Sequence, residues 1–263
     1  MTSTPAAVQP GYDDLGAGTP TVLLLPGWCG DRGVFGPMSE ALAAHRRVLV
    51  DDLRGHGGNA HQTGDFDSAA QVDDVVALLD ATDVDRVVPV TLSHAGWHGI
   101  ELRRRLGPER VPGLVLLDWM PIGPPPGFLD ALAGLQDPTG WHDVRAALFG
   151  MWTDGVTTPA VHDYVASMAA YGFEHWSRAG REISTAFARD GAPLDALGRL
   201  DVPCPTLHLY AQPADDGYLA AQQHAAAELP WFSVERLDAL SHFPMLEVPD
   251  VVAARIESFV AGL

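Results

Sequence analysis

The sequence predicts an α/β fold: a mostly parallel central sheet flanked by helices, with a helical cap inserted after the strand that ends at Asp118. Three observations predict it. Apolar runs bounded by Gly, Pro and Asp recur along the chain and alternate with helix-period segments. Several of these runs are apolar on both faces, as strands covered on two sides must be. One long stretch, residues 120–200, breaks the alternation and carries no convincing strand.

In chain order, Thr21–Pro26 is a continuous apolar run closed by Pro-Gly, which marks a strand and its turn. Val34–Ala44 has helical apolar spacing, and Arg47–Asp51 is a short apolar strand stopped by paired aspartates. Ser68–Ala81 follows an Asp-Ser start signal and repeats Val and Leu at helical intervals. Arg86–Ser93 is a buried strand, His94–Leu106 a helix ended by Gly-Pro, and Gly113–Asp118 another buried strand. Residues 120–200 open on Pro121, Pro124, Pro125 and Pro126 and continue as helical segments rich in Trp, Phe, Leu and Met. Cys204–Tyr210 returns to strand, Tyr218–Glu228 to helix, Phe232–Leu237 to strand, and Asp250–Ala261 closes with a helix. The expected division is a core over residues 1–119 and 201–263, with residues 120–200 as a cap over the strand ends, where open α/β sheets bind ligands.

Composition narrows the function. The 263 residues are 47% hydrophobic, enough for one large core. Thirty-four acidic residues oppose 16 basic ones, all of them arginine, for a net charge of −18. That balance argues against nucleic acid or an anionic membrane surface as partner. Met1–Pro10 has neither a basic region nor an apolar run, so no signal peptide is expected. No apolar stretch reaches the roughly 18 residues that span a bilayer. Cys29 and Cys204 stand far apart outside any C-x-x-C pattern, which fits a reducing compartment. A cytoplasmic protein is expected.

Several segments carry chemistry. Thr91-Leu92-Ser93-His94-Ala95 runs from a strand into a helix start, with small residues two before and two after the serine. A sharp nucleophile turn needs that spacing, although the usual glycines are replaced. Leu25-Pro26-Gly27-Trp28-Cys29-Gly30 follows the first strong strand and offers the backbone N–H of Trp28 as one oxyanion donor, with that of His94 as the second. His242 lies between the last strand and the last helix, and an imidazole there suits proton abstraction when a carboxylate orients it. Spacing alone leaves two carboxylate sources open: Asp118, one strand after the serine, and Asp215 or Asp216, after the next strand. His56 sits in Asp52-Leu53-Arg54-Gly55-His56-Gly57, a structural turn. Metal chemistry is poorly supported, since no H-x-D or H-x-E pair occurs and His94 and His98 lack the glutamate of H-E-x-x-H. No phosphate-binding glycine motif is present.

Ser93, Asp118 and His242 appear in the chain order of the α/β-hydrolase triad, with the acid earlier than usual. Together with Pro26-Gly27-Trp28-Cys29, Gly96-Trp97, Gly107-Pro108-Glu109-Arg110 and Asp118-Trp119, the chain resembles one group within the α/β-hydrolase fold. That group is the cofactor-independent 2,4-dioxygenases of 3-hydroxy-4-oxoquinolines and quinaldines. Met151-Trp152-Thr153-Asp154-Gly155, Tyr171-Gly172, Trp176, Pro230-Trp231-Phe232-Ser233 and His242-Phe243-Pro244 extend the likeness over nearly the whole chain.

The resemblance implies a base dyad of His242 and Asp118 acting on a substrate 3-hydroxyl. Ser93 becomes a hydrogen-bonding accessory, and Trp28, Cys29, His94, Trp152 and Trp176 surround the substrate. It also implies dioxygen as co-substrate with neither metal nor flavin, and release of carbon monoxide with an N-acylanthranilate. Two positions depart from the family: Leu92 precedes the serine, and Gly30 follows Trp-Cys, where family members carry histidine. Loss of those polar groups favours a 2-alkyl-3-hydroxy-4(1H)-quinolone such as the 2-heptyl signal. The alternative is a serine esterase or amidase using Ser93, His242 and Asp118.

Overall fold

A computed structural model describes residues 11–263; Met1–Pro10, and with them the expectation about a signal peptide, lie outside the described residues. Seven strands form one sheet: β1 (Tyr12–Leu15), β2 (Thr21–Leu25), β3 (Val48–Asp51), β4 (Val87–Leu92), β5 (Leu114–Leu117), β6 (Thr206–Tyr210) and β7 (Phe232–Arg236). Their order is β1-β3-β2-β4-β5-β6-β7, with β1 antiparallel to β3 and every other pair parallel. The sequence pattern missed β1, and the reason is physical. Its Tyr-Asp-Asp-Leu has no apolar run, and its aspartates are held instead by arginines, Asp13 by Arg32 at 2.9 Å and Asp14 by Arg47 at 2.7 Å.

Around the sheet lie α1 (Gly36–Ala43), α2 (Ser68–Ala81), α3 (Gly96–Arg110), five helices between β5 and β6, then α9 (Asp216–Glu228), α10 (Pro244–Glu247) and α11 (Pro249–Ala261). The five are α4 (Phe128–Gly134), α5 (Trp141–Thr153), α6 (Pro159–Met168), α7 (Phe173–Asp190) and α8 (Pro193–Gly198). Alternation along the strands sorts the core into two faces. Leu23, Leu25 and Leu49 pack with Val72, Val75 and Leu79 of α2, whereas Val22, Leu24, Val48 and Val50 pack with Met38 of α1 and Ile256 of α11. Burying such side chains contributes about 1.5–3 kcal/mol each, so the sheet is the rigid frame of the molecule. Among the described residues no helix is long and apolar enough to cross a membrane.

The inserted helices are tied to the loop after β3. Tyr171 Oη accepts from the Gly57 N–H at 3.0 Å, and Arg178 donates to the Gly64 carbonyl at 3.0 Å. Glu182 accepts from the Ser68 N–H at 2.9 Å, and His175 Nε2 lies 3.1 Å from the Gly55 carbonyl. These bonds hold α7, and with it the insertion, against the end of the sheet where the strands emit their loops.

Candidate active site

Three residues that are not glycine adopt left-handed backbone just past a parallel strand: Cys29 (φ 58°) after β2, Ser93 (φ 54°) after β4 and Asp118 (φ 43°) after β5. Each such position costs on the order of 1–3 kcal/mol, and the surrounding structure must over-determine it. The strands β4 and β5 are neighbours with Leu92 opposite Leu117, so Ser93 and Asp118 emerge side by side. Gly27 brings the β2 loop against the serine: a Cβ there would stand 3.4 Å from Ser93 Cβ. The backbone of Trp28 is thereby delivered next to the serine turn.

Asp118 is buried and fully engaged. Its Oδ1 lies 2.7 Å from His242 Nδ1, and its Oδ2 accepts from the N–H groups of Ala211 at 2.7 Å and Gln212 at 3.0 Å. A carboxylate only accepts, so His242 Nδ1 carries the hydrogen and Nε2 keeps its lone pair. Trp152 lies nearly parallel to the His242 ring, 5.0 Å between centroids, which fixes the imidazole plane. The rival acid is occupied elsewhere: Asp215 caps α9 by accepting from the Tyr218 N–H at 2.7 Å, and Asp216 pairs with Arg236 at 3.0 Å. Spacing had left these candidates level; the fold separates them.

A narrow cavity lies at these strand ends, walled by Gly27, Trp28, Gly30, Leu92, Ser93, Trp152, Tyr164, Met168, His242 and Phe243. Its free volume is about 20 Å³, little more than one water molecule occupies. Of the expected site residues, Ser93, Trp28, Trp152 and His242 line this cavity, whereas Asp118, Cys29, His94 and Trp176 are not among its lining residues. Among the described residues no hydrogen bond joins Ser93 Oγ to His242, although both face the same space.

Cys29, His94 and Trp176 stand behind that wall. The Cys29 N–H donates to His56 Nε2 at 3.1 Å, and burial pushes its thiol well above the ordinary thiol range. The His94 side chain accepts from Trp119 Nε1 at 3.0 Å and stacks on Phe128 at 5.3 Å. Burial, with a smaller effect of His242, lowers it to about 3, so this imidazole is neutral. Trp176 packs edge-on against Phe149 at 5.6 Å, and Phe149 in turn contacts Trp152. His56 is a satisfied turn histidine, its Nδ1 2.8 Å from the Arg54 carbonyl.

Sequence reasoning missed a second layer. His208, buried on β6, accepts from the Trp119 N–H at 3.2 Å and bonds Gln222 at 2.5 Å. The Tyr218 hydroxyl donates to the Trp119 carbonyl at 3.2 Å. Both therefore pin the peptide groups beside the left-handed Asp118. A histidine inside the apolar run Thr-Leu-His-Leu-Tyr was a visible signal for the first; nothing in the pattern marked the second. Tyr164 and Met168 also went unnoticed, because an amphipathic helix does not announce which cavity its buried face meets. Among the described residues no group of three or more His, Cys, Asp or Glu could hold a metal ion.

The chain matches the model of the alpha/beta hydrolase family over residues 22–255. It is 41% identical to the 2-heptyl-3-hydroxy-4-quinolone dioxygenase AqdC1 of Rhodococcus erythropolis, over 90% of this chain and 85% of that one. It is 37% identical to the 2-heptyl-3-hydroxy-4(1H)-quinolone dioxygenase of Mycobacteroides abscessus, over 99% of this chain and 98% of that one. A solved structure of an AqdC variant in complex with its substrate, from work on ring cleavage of the Pseudomonas quinolone signal, superposes with a TM-score of 0.91. That alignment has 37% identity and covers 96% of this chain and 95% of the other.

Proposed function

The chain belongs to the quinolone 2,4-dioxygenases of the alpha/beta hydrolase family, and on that footing we propose that it cleaves the ring of 2-alkyl-3-hydroxy-4(1H)-quinolones with dioxygen. The products are carbon monoxide and an N-acylanthranilate. The observation that carries the reading is His242, held by Asp118 at 2.7 Å, on the wall of a cavity it shares with Trp28, Trp152, Tyr164 and Phe243, in a chain whose relatives bear that activity.

The chemistry follows from the geometry. Asp118 holds Nδ1–H, so His242 Nε2 takes the 3-hydroxyl proton, a general-base step worth about 10²–10⁴-fold. The anion left behind spreads its charge over the ring and is electron-rich enough to reduce dioxygen directly. In this reading neither metal nor flavin takes part. Oxygen bonds to C2, and the distal peroxide oxygen closes onto C4. The O–O, C2–C3 and C3–C4 bonds then break, and C3 leaves with its own oxygen as carbon monoxide. Both oxygen atoms stay in the anthranilate, so no outside reductant is required. The N–H groups of Trp28 and His94 stabilise the oxygen-centred charge. Ser93 donates a hydrogen bond to the substrate, and the inserted helices act as the cap that keeps water out.

A serine hydrolase would require Ser93 to attack, with His242 taking its proton. The identity to ring-cleaving relatives favours the dioxygenase. The test is stoichiometry. Chelator-treated protein given 2-heptyl-3-hydroxy-4(1H)-quinolone should consume one dioxygen per carbon monoxide and per N-octanoylanthranilate formed. Turnover that continues without oxygen, or ester hydrolysis through an acylated Ser93 with no carbon monoxide, would overturn it.

A further inference from the structure

Gly30 is a glycine for want of space. Its backbone is outside the left-handed region, so conformation does not require glycine there. A Cβ at this position would stand 2.2 Å from Tyr164 Oη, far inside contact distance. Tyr164 projects from α6 and occupies the room Gly30 leaves. Its hydroxyl accepts from the Asp31 N–H at 3.0 Å and donates to the Asp31 carbonyl at 3.2 Å. Burial, reinforced by the Asp31 charge, raises the phenol well above its ordinary range, so it remains a neutral donor.

The phenol thus latches α6 to the loop after β2, and its ring sits 5.1 Å from Phe243, the neighbour of His242. Tyr164 and Met168, one turn on, are the two cavity-lining residues of α6. The walls differ in character. Trp28 and Trp152 offer flat rings suited to a bicyclic quinolone, whereas Met168 is an unbranched chain that reshapes around alkyl groups.

Resting on the dioxygenase reading, we propose that Tyr164, seated in the space cleared by Gly30, is a specificity-determining residue that sets the length of 2-alkyl chain the enzyme accepts. The bicyclic ring lies against the tryptophans, and the chain runs against Met168 and the Tyr164 ring. The cavity is narrow, and the latch to Asp31 governs how far this wall yields to the chain.

The experiment compares kcat/KM on 2-methyl- and 2-heptyl-3-hydroxy-4-quinolone for the wild type, Gly30→Ala, Tyr164→Phe and the double variant. Gly30→Ala drives the phenol out of its seat and lowers the heptyl rate at least about tenfold more than the methyl rate, the scale of a methylene misfit in a pocket. Adding Tyr164→Phe removes the colliding oxygen and leaves the Gly27 carbonyl at 3.3 Å and a ring carbon at 3.4 Å from the new Cβ, contacts that a shift of a few tenths of an ångström relieves. The double variant therefore returns to within about threefold of Tyr164→Phe alone, and its melting temperature recovers alongside. Should Gly30→Ala not fold, Tyr164→Phe alone shifts the heptyl-to-methyl ratio of kcat/KM by about threefold or more, carried by KM for the heptyl substrate more than by kcat. An active wild type whose variants change both substrates equally, or show no rescue, overturns the proposal alone. A wild type inactive on both quinolones sinks the dioxygenase reading and the proposal with it.

Discussion

Ser93 and Asp118 sit at matching points on adjacent strands, both in left-handed backbone, yet they are supported very differently. Asp118 makes three side-chain hydrogen bonds, while its own N–H donates to the Leu209 carbonyl at 2.8 Å. Trp119 beyond it is pinned at both its N–H and its carbonyl. Ser93 Oγ has no hydrogen-bond partner among the described residues and simply faces the cavity. Immobilised partners are where acid–base chemistry gains its orientation; a free hydroxyl is suited to meeting a ligand. The contrast is between an immobilised acid–histidine pair on the β5 side and an open hydroxyl on the β4 side.

The largest break in that contrast is removal of the base. His242→Ala should lower kcat/KM by about 10³-fold or more, read as oxygen uptake, with the fold intact by circular dichroism. Asp118→Asn comes next. It keeps the shape but presents an amide to His242 Nδ1, which favours the wrong tautomer and should cost about 10²–10³-fold.

Acid sharpens the comparison through the histidines that brace these turns. His94 is lowered to about 3, and His56 and His208 to about 4, in each case chiefly by burial. A depressed imidazole charges in the unfolded chain before it charges in the fold. Their contribution is complete above the ordinary histidine range and is lost as pH falls from about 6.5 toward about 4, by up to roughly 1.4 kcal/mol per pH unit for each group. Melting temperatures should therefore fall steeply across that window, and a flat profile would contradict the sealed environment. The smallest effect belongs to Ser93→Ala: a loss within about tenfold, and no acylated enzyme to trap in the wild type.

Much of this architecture was legible in the chain, for identifiable reasons. The strands β2 to β6 are mostly apolar runs, Ser93 and Asp118 come immediately after β4 and β5, and His242 lies between β7 and the last helices. What escaped has no local signature. Tyr-Asp-Asp-Leu becomes β1 by pairing antiparallel with β3, a distant segment, while arginines from elsewhere hold its aspartates. The choice between Asp118 and Asp215 depended on a helix cap against a loop 124 residues away, a matter of tertiary packing. His208 and Tyr218 brace Trp119 across strand and helix, and the seat of Tyr164 depends on a missing Cβ in another segment. Such partnerships join distant residues through space, and periodicity records only neighbours.

The central claim is that His242, oriented by Asp118, deprotonates the bound quinolone before oxygen arrives. An anaerobic titration at a pH where the free ligand is neutral tests it most directly, reading the ultraviolet–visible signature of the 3-hydroxyquinolone anion. The wild type and Ser93→Ala should both generate that anion on binding, while His242→Ala should bind the ligand and leave it neutral. An anion that forms equally well in His242→Ala, or fails to form in the saturated wild type, would contradict the account.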